Sequence, residues 1–218
     1  MLRVRATFEK KGRAKYISHL DLNRCMLRTF RRSRLPIWYT EGFNPHPYYS
    51  FALALSLGFE SDCEILDFNI TDDQMSMETI RDALNAVMPE GMRIVKVAEQ
   101  KQKITAIAKA EYAFSLVSED SSALYDAVQK MISEPEILIE KKTKKGIKTV
   151  DIKPETEILS CTDSGRSVDI TMYLPAGTQT NFNPTLFIEA LRRTTDICFD
   201  PENIRRTAIL CADNTIFE

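Results

Sequence analysis

Four times along this chain the apolar residues change period, from every second position to every third or fourth and back, and this order restricts the fold more than any motif. Leu2, Val4, Ala6 and Phe8 alternate with Arg3, Arg5, Thr7 and Glu9, the pattern of a strand with one buried face. A turn at 10–13 follows, with Gly12 available for a positive φ. Ser18 is placed to cap a helix, and Asp21 three residues later makes an approximate capping box. The helix is predicted to run to about Leu35, because Pro36 biases the residue before it away from helix. Its inward stripe is Leu22, Cys25, Met26 and Thr29; its outward stripe is Arg24, Arg28, Arg31 and Arg32.

A short strand at 37–39 leads into a loop at 41–49, then strands at 50–57 and 64–70, a helix at 77–88 stopped by Pro89-Glu90-Gly91, and a strand at 92–98. After a polar connector at 99–109 the order recurs: strand 111–117, helix 121–132, strand 136–140, a basic loop at 141–148, strands 149–152, 157–161 and 168–174, helix 185–193 and strand 204–211. No residue-level repeat accompanies the similar order. The fold class is α+β, two ferredoxin-like (β-α-β-β-α-β) halves in tandem at 1–100 and 110–218, with one larger α+β domain as the alternative.

A chain of 218 residues with 44% hydrophobic and 28% charged side chains can bury a full core, which excludes a disordered chain. The five cysteines are scattered and odd in number, which reads as reduced thiols and a cytoplasmic protein rather than a disulfide framework. The most apolar run, 51–59, is too short to span a bilayer, and the start of the chain lacks the apolar stretch of a signal peptide. The net charge of −2 hides a segregation. Residues 1–34 carry eleven basic side chains against two acidic ones, while the rest carries eighteen against twenty-nine. Such a field steers an anion to one end.

Four groups of residues can carry function. The arginine stripe, with Arg13, Lys15 and Arg34 nearby, presents guanidinium forks suited to phosphates; the bland alternative is a solvated helix face. In the loop 39–49, Pro45 and Pro47 hold Asn44 and His46 extended, and Tyr39, Phe43, Tyr48 and Tyr49 offer ring faces for stacking. The alternative there is that the rings pack down into the core. The only histidines, His19 and His46, both fall in this region, as binding or structural groups or as an acid–base pair able to cleave RNA. Lys144 and Lys145 belong to a lysine-rich tip that adds phosphate contacts or is merely solvated. No phosphate-binding glycine loop, dinucleotide fingerprint, serine-hydrolase elbow or cysteine cluster is present, so no catalytic residue, metal or cofactor is assigned.

Lys15-Tyr16-Ile17-Ser18-His19-Leu20-Asp21-Leu22, Arg31-Arg32 before Leu35-Pro36, and Tyr39-Thr40-Glu41-Gly42-Phe43-Asn44-Pro45-His46-Pro47 with Ser50-Phe51-Ala52 resemble the radical-SAM-associated family of bacterial proteins. Gly58, Glu60-Ser61, the stretch 64–67 and Val150-Asp151-Ile152 continue the likeness. The resemblance implies association with a radical SAM enzyme and a link to RNA metabolism. The chain has no C-x-x-x-C-x-x-C to hold a radical SAM cluster, so it implies an accessory part. The expected function is therefore an accessory module holding RNA or another polyanion on the basic helix and stiff loop. The alternatives are a metal-independent endoribonuclease using His19 and His46, and a subunit that docks an enzyme without nucleic acid.

Overall fold

The structure is a computed structural model that describes residues 1–143, 146–177 and 180–218. The chain divides into two compact units, Met1–Ala106 with Thr215–Glu218, and Ile107–Asn214.

In the first unit the central strand is β1, Leu2–Lys10. It is followed by a short 3-10 turn, Gly12–Tyr16, and by α1, His19–Ser33. Next come β2 (Tyr49–Phe51), β3 (Glu60–Ile70), α2 (Met77–Asn85) and β4 (Met92–Glu99). β1 pairs antiparallel with β3 on one side and with β4 on the other, and β2 pairs antiparallel with β3. The spatial order is thus β4-β1-β3-β2. The predicted alternation of β1 is present: Val4, Ala6 and Phe8 join Leu66, Phe68 and Ile70 of β3 in a core roofed by Leu22, Met26 and Phe30 of α1 and Ile80 and Leu84 of α2. Both helices begin on serine caps, Ser18 accepting from the Asp21 N–H and Ser76 from that of Thr79.

Several boundaries differ from the sequence reading, those of β2 and β3 because of non-local bonds. The strand expected at 50–57 is only three residues long: the chain turns at Ser56–Phe59, and the Gly58 N–H is tied to the Lys15 carbonyl at 2.9 Å. Conversely, β3 absorbs Glu60, Ser61 and Asp62, which compose like a turn. Register with β1 is restored there by a bulge between Phe8 and Lys10, and Glu60 accepts from the Gly12 N–H at 2.9 Å. The strand expected at 37–39 is reduced to two isolated bridges, Ile37 with Ile70 and Tyr39 with Pro47. α2 ends at Asn85, one turn short of the predicted Met88.

The sheet face opposite these helices holds a buried ion pair. Arg5 and Asp67 meet bidentately at 2.7 and 2.8 Å, both almost fully buried. Arg5 also donates to the carbonyls of Glu218 (2.9 Å) and Gln102 (3.0 Å) and stacks on the Phe217 ring at 4.1 Å. These contacts hold the last four residues on the first unit.

The second unit contains β5 (Ile107–Val117), α3 (Ser121–Ser133), the hairpin β6 (Leu138–Thr143) and β7 (Gly146–Asp151), then β8 (Glu157–Asp163), β9 (Ser167–Pro175), α4 (Pro184–Thr194) and β10 (Asp200–Cys211). Its sheet is antiparallel in the order β10-β5-β9-β8. Tyr112, Phe114 and Leu116 on β5 and Ile170 and Met172 on β9 point to the buried face, where Phe114 meets Phe187 of α4 edge-on at 6.4 Å. The basic stretch read as a loop is mostly ladder, paired from Leu138↔Asp151 to Thr143↔Gly146. Lys144 and Lys145 lie outside the described residues.

Candidate nucleic-acid interface

α1 carries the site because its two ends are fixed by local chemistry. The Ser18 hydroxyl accepts from the Asp21 N–H at 3.1 Å and donates to the Asp21 carboxylate at 2.8 Å, while the helix stops where Arg34 takes a left-handed conformation at φ 57°. Its buried stripe is Leu22, Met26, Thr29 and Phe30. Cys25, predicted to face inward, sits half-buried at the edge of that stripe because Phe30 fills the place beside Phe68, with ring centres 5.1 Å apart.

This small rotation decides what the arginines do. Arg24, Arg28 and Arg32, at i, i+4 and i+8, line one cleft of about 430 Å³. Asp21, Cys25 and Thr29 complete its α1 side, and Val87, Met88 and Pro89, just beyond α2, form the opposite wall. Arg31, the fourth member of the predicted stripe, is exposed outside the cleft. Arg24 is paired with Asp21 at 3.0 Å, both side chains more than half exposed. Among the described residues, no carboxylate lies within ion-pair distance of Arg28 or Arg32. The hydroxyl of Ser18 and the guanidiniums of Arg24 and Arg28 hold the Asp21 carboxyl below its ordinary value. Burial pushes the Cys25 thiol up, against the opposing pull of Thr29, Arg28 and Arg32, so the cysteine stays a neutral wall of the cleft.

The other flank of α1 faces β2. The Tyr49 hydroxyl donates to Asn23 Oδ1 at 3.1 Å, and the rings of Phe30, Tyr49, Phe51 and His19 meet edge to edge in sequence. Tyr49 is therefore a packing residue, not one of the free rings that the loop sequence suggested. His19, at the first position of α1, leans on Phe51 with ring centres 5.4 Å apart.

Residues 38–48 form a small hairpin that leads directly into β2. The Thr40 N–H donates to the His46 carbonyl at 2.9 Å, the Tyr48 N–H donates to the Trp38 carbonyl at 3.0 Å, and the Trp38 and Tyr48 rings stack edge-on. Glu41 to His46 are all exposed. Gly42 supplies the turn with φ 121°, a conformation that disfavours a side chain. His46 Nδ1 lies 3.0 Å from the Asn44 carbonyl oxygen and 3.1 Å from the Thr40 hydroxyl. A carbonyl only accepts, so Nδ1 carries the proton of the neutral ring and Nε2 is left as an acceptor. His19 and His46 are thus engaged with different partners, Phe51 and the loop backbone.

Arg13 is exposed on the 3-10 turn, and the Lys15 ammonium sits 5.4 Å over the Tyr16 ring. Tyr39, Phe43 and Tyr48 remain exposed, as the loop sequence suggested. Sequence reasoning missed the wall at Val87–Pro89 and the exposed Tyr16 and Leu20. The helix stop at Pro89-Glu90-Gly91 is the one sequence signal of a turn at that place. Among the described residues, no group of three or more His, Cys, Asp or Glu is arranged to hold a metal. No helix among them is long and apolar enough to cross a membrane.

Residues 3–184 match the model of the family described as "Uncharacterized protein conserved in bacteria (DUF2344)". The chain belongs to this family. No curated protein matches it. Among solved structures, it is similar to a chain of "Crystal Structure of a Cbf5-Nop10-Gar1 Complex" at 11% identity and TM-score 0.49, over 94% of this chain and 48% of that one. This family member therefore spans about half the length of that chain. It is also similar to "Crystal Structure of an Unknown Protein from Galdieria sulphuraria", at 14% identity and TM-score 0.27, over 92% of this chain and 97% of that one. Both scores fall below the level at which a shared fold follows.

Proposed function

We propose that the chain is an accessory module that holds RNA on α1 and the 38–48 hairpin and presents it to a partner enzyme. The observation that carries this reading is the cleft of Arg24, Arg28 and Arg32, in which two of the three guanidiniums have no carboxylate partner among the described residues. Solvated helix faces ordinarily mix charges at i and i+4, and such mixing neutralises them. Here a single carboxylate, Asp21, serves three arginines, and the far wall of Val87, Met88 and Pro89 brings no charge of its own. A row at four-residue spacing suits successive anionic groups, and guanidinium forks bind phosphate oxygens bidentately.

The architecture in this reading is two ferredoxin-like halves. The antiparallel orders β4-β1-β3-β2 and β10-β5-β9-β8 support it, with β6 and β7 as a hairpin inserted after α3. A radical SAM enzyme as the partner rests on the sequence resemblance alone. A reducing, cytoplasmic setting in this reading rests on the odd, scattered set of five cysteines in the sequence. Cleavage of RNA by His19 and His46 has less support, because the contacts of each ring are those of a positioned side chain.

Ultraviolet crosslinking in cells, with mass-spectrometric mapping of the attached peptides, tests the reading. RNA crosslinked to peptides from α1 and residues 38–48, and depleted by Arg28→Ala with Arg32→Ala, is the expected result. RNA-free protein that still co-purifies with an enzyme after nuclease treatment would replace it with the docking reading.

A further inference from the structure

Phe43 is the most exposed large apolar side chain among the described residues, at 112% of its reference accessibility. It sits beside Gly42 at the tip of a hairpin whose arms are joined by two backbone hydrogen bonds and the Trp38–Tyr48 ring contact. Leaving such a ring in water forgoes the favourable free energy of burying it. A stiff loop that holds it there keeps both ring faces open without paying side-chain ordering at each encounter. Tyr48 is half exposed on the same hairpin.

The arginine cleft opens on the other flank of the same helix. Asn23 and His19 face β2, into which the hairpin leads, whereas Asp21, Arg28 and Arg32 face the turn after α2. Between the flanks lies the exposed ridge of α1, carrying Arg31, across a helix about 10 Å wide. Building on the RNA reading above, we infer that the bound species is single-stranded RNA, which crosses α1 with its phosphates in the cleft and a base stacked on Phe43. A single strand can turn an unpaired base onto a ring while its backbone follows a basic groove. A duplex hides its base faces inside the stack and would engage the arginines alone. A protein partner fits this surface less well. Phe43 is flanked by exposed Glu41, Asn44 and His46, polar groups that an apolar protein face would have to desolvate.

The test is fluorescence anisotropy of the full chain with a labelled oligouridylate and with an RNA duplex of equal length. The single strand is expected to bind more tightly. Phe43→Ala should weaken single-strand binding roughly 5- to 100-fold, the worth of one stacked base, with the salt dependence unchanged. Phe43→Trp should restore it. Because the side chain is wholly exposed, neither substitution removes a core contact. Equal affinity for both RNAs, or an unaltered Phe43→Ala variant, overturns the single-strand inference while leaving the arginine cleft standing. Loss of binding in Arg28→Ala with Arg32→Ala tests the RNA reading separately, since those residues do not touch the tip.

Discussion

Replacing Asp67 by alanine removes three hydrogen bonds at once, two from Arg5 at 2.7 and 2.8 Å and one from Gln100 at 2.9 Å. The guanidinium stays behind at 2% exposure, with the carbonyls of Glu218 and Gln102 and the Phe217 ring as its surroundings. Breaking a buried pair by removing one partner costs about 3–5 kcal/mol, because the remaining charge is desolvated without compensation. The exposed Arg24–Asp21 pair, by contrast, belongs to the class worth about 0.2–1 kcal/mol. With an m-value of about 2 kcal/mol/M, Asp67→Ala should lower the urea midpoint by roughly 1.5–2.5 M at unchanged slope. Trp38 is the only tryptophan and lies in the first unit, so its fluorescence reports that unit's unfolding. The double substitution Arg5→Met with Asp67→Leu removes both desolvation costs together and should recover most of the loss. The reasoning is refuted if Asp67→Ala unfolds within 1 kcal/mol of the parent, or if the double variant is as unstable as the two single losses added together.

Two further outcomes follow from local geometry. The Asp21 carboxyl is held below its ordinary value by the Ser18 hydroxyl and by Arg24 and Arg28. Its folded value lies under its unfolded one, so its stabilising contribution is complete above the ordinary carboxylate range and is lost as pH falls through the folded value; an NMR titration should place Asp21 below a free aspartate, and Ser18→Ala should move it upward. Gly91 has φ 82°, and a Cβ there would meet the Lys11 carbonyl oxygen at 2.6 Å. Gly91→Ala should therefore cost at least the roughly 1–2 kcal/mol of a left-handed residue, seen as a lower melting temperature.

What could be read from the sequence was what a few adjacent residues decide. The alternation of Val4, Ala6 and Phe8, the Ser18 cap and the stop before Pro36 are local signals, and β1 and α1 lie within two residues of where those signals put them. β2 was overestimated because Phe51, Leu53, Leu55 and Leu57 alternate like a strand, yet the chain is pulled aside by the Gly58–Lys15 hydrogen bond. The Arg5–Asp67 pair joins residues 62 apart, and neither neighbourhood announces the other. In the site, charge and helical spacing were enough to find the arginines. Their division was not legible, because it depends on how α1 rolls about Phe30 and on which turn faces Arg28. In sequence Tyr49 resembles its neighbours Tyr39 and Tyr48, and only its contacts with Phe30 and Asn23 set it against the core.

The central claim, that the α1 cleft binds phosphates through its arginines, is tested most directly by the salt dependence of RNA affinity. Single-strand binding loses about 0.7 in log K per decade of salt for each phosphate neutralised. Three engaged arginines predict a slope of about −2, falling to about −0.7 in Arg28→Ala with Arg32→Ala. A slope near zero, or one that the double substitution leaves unchanged, would contradict the account.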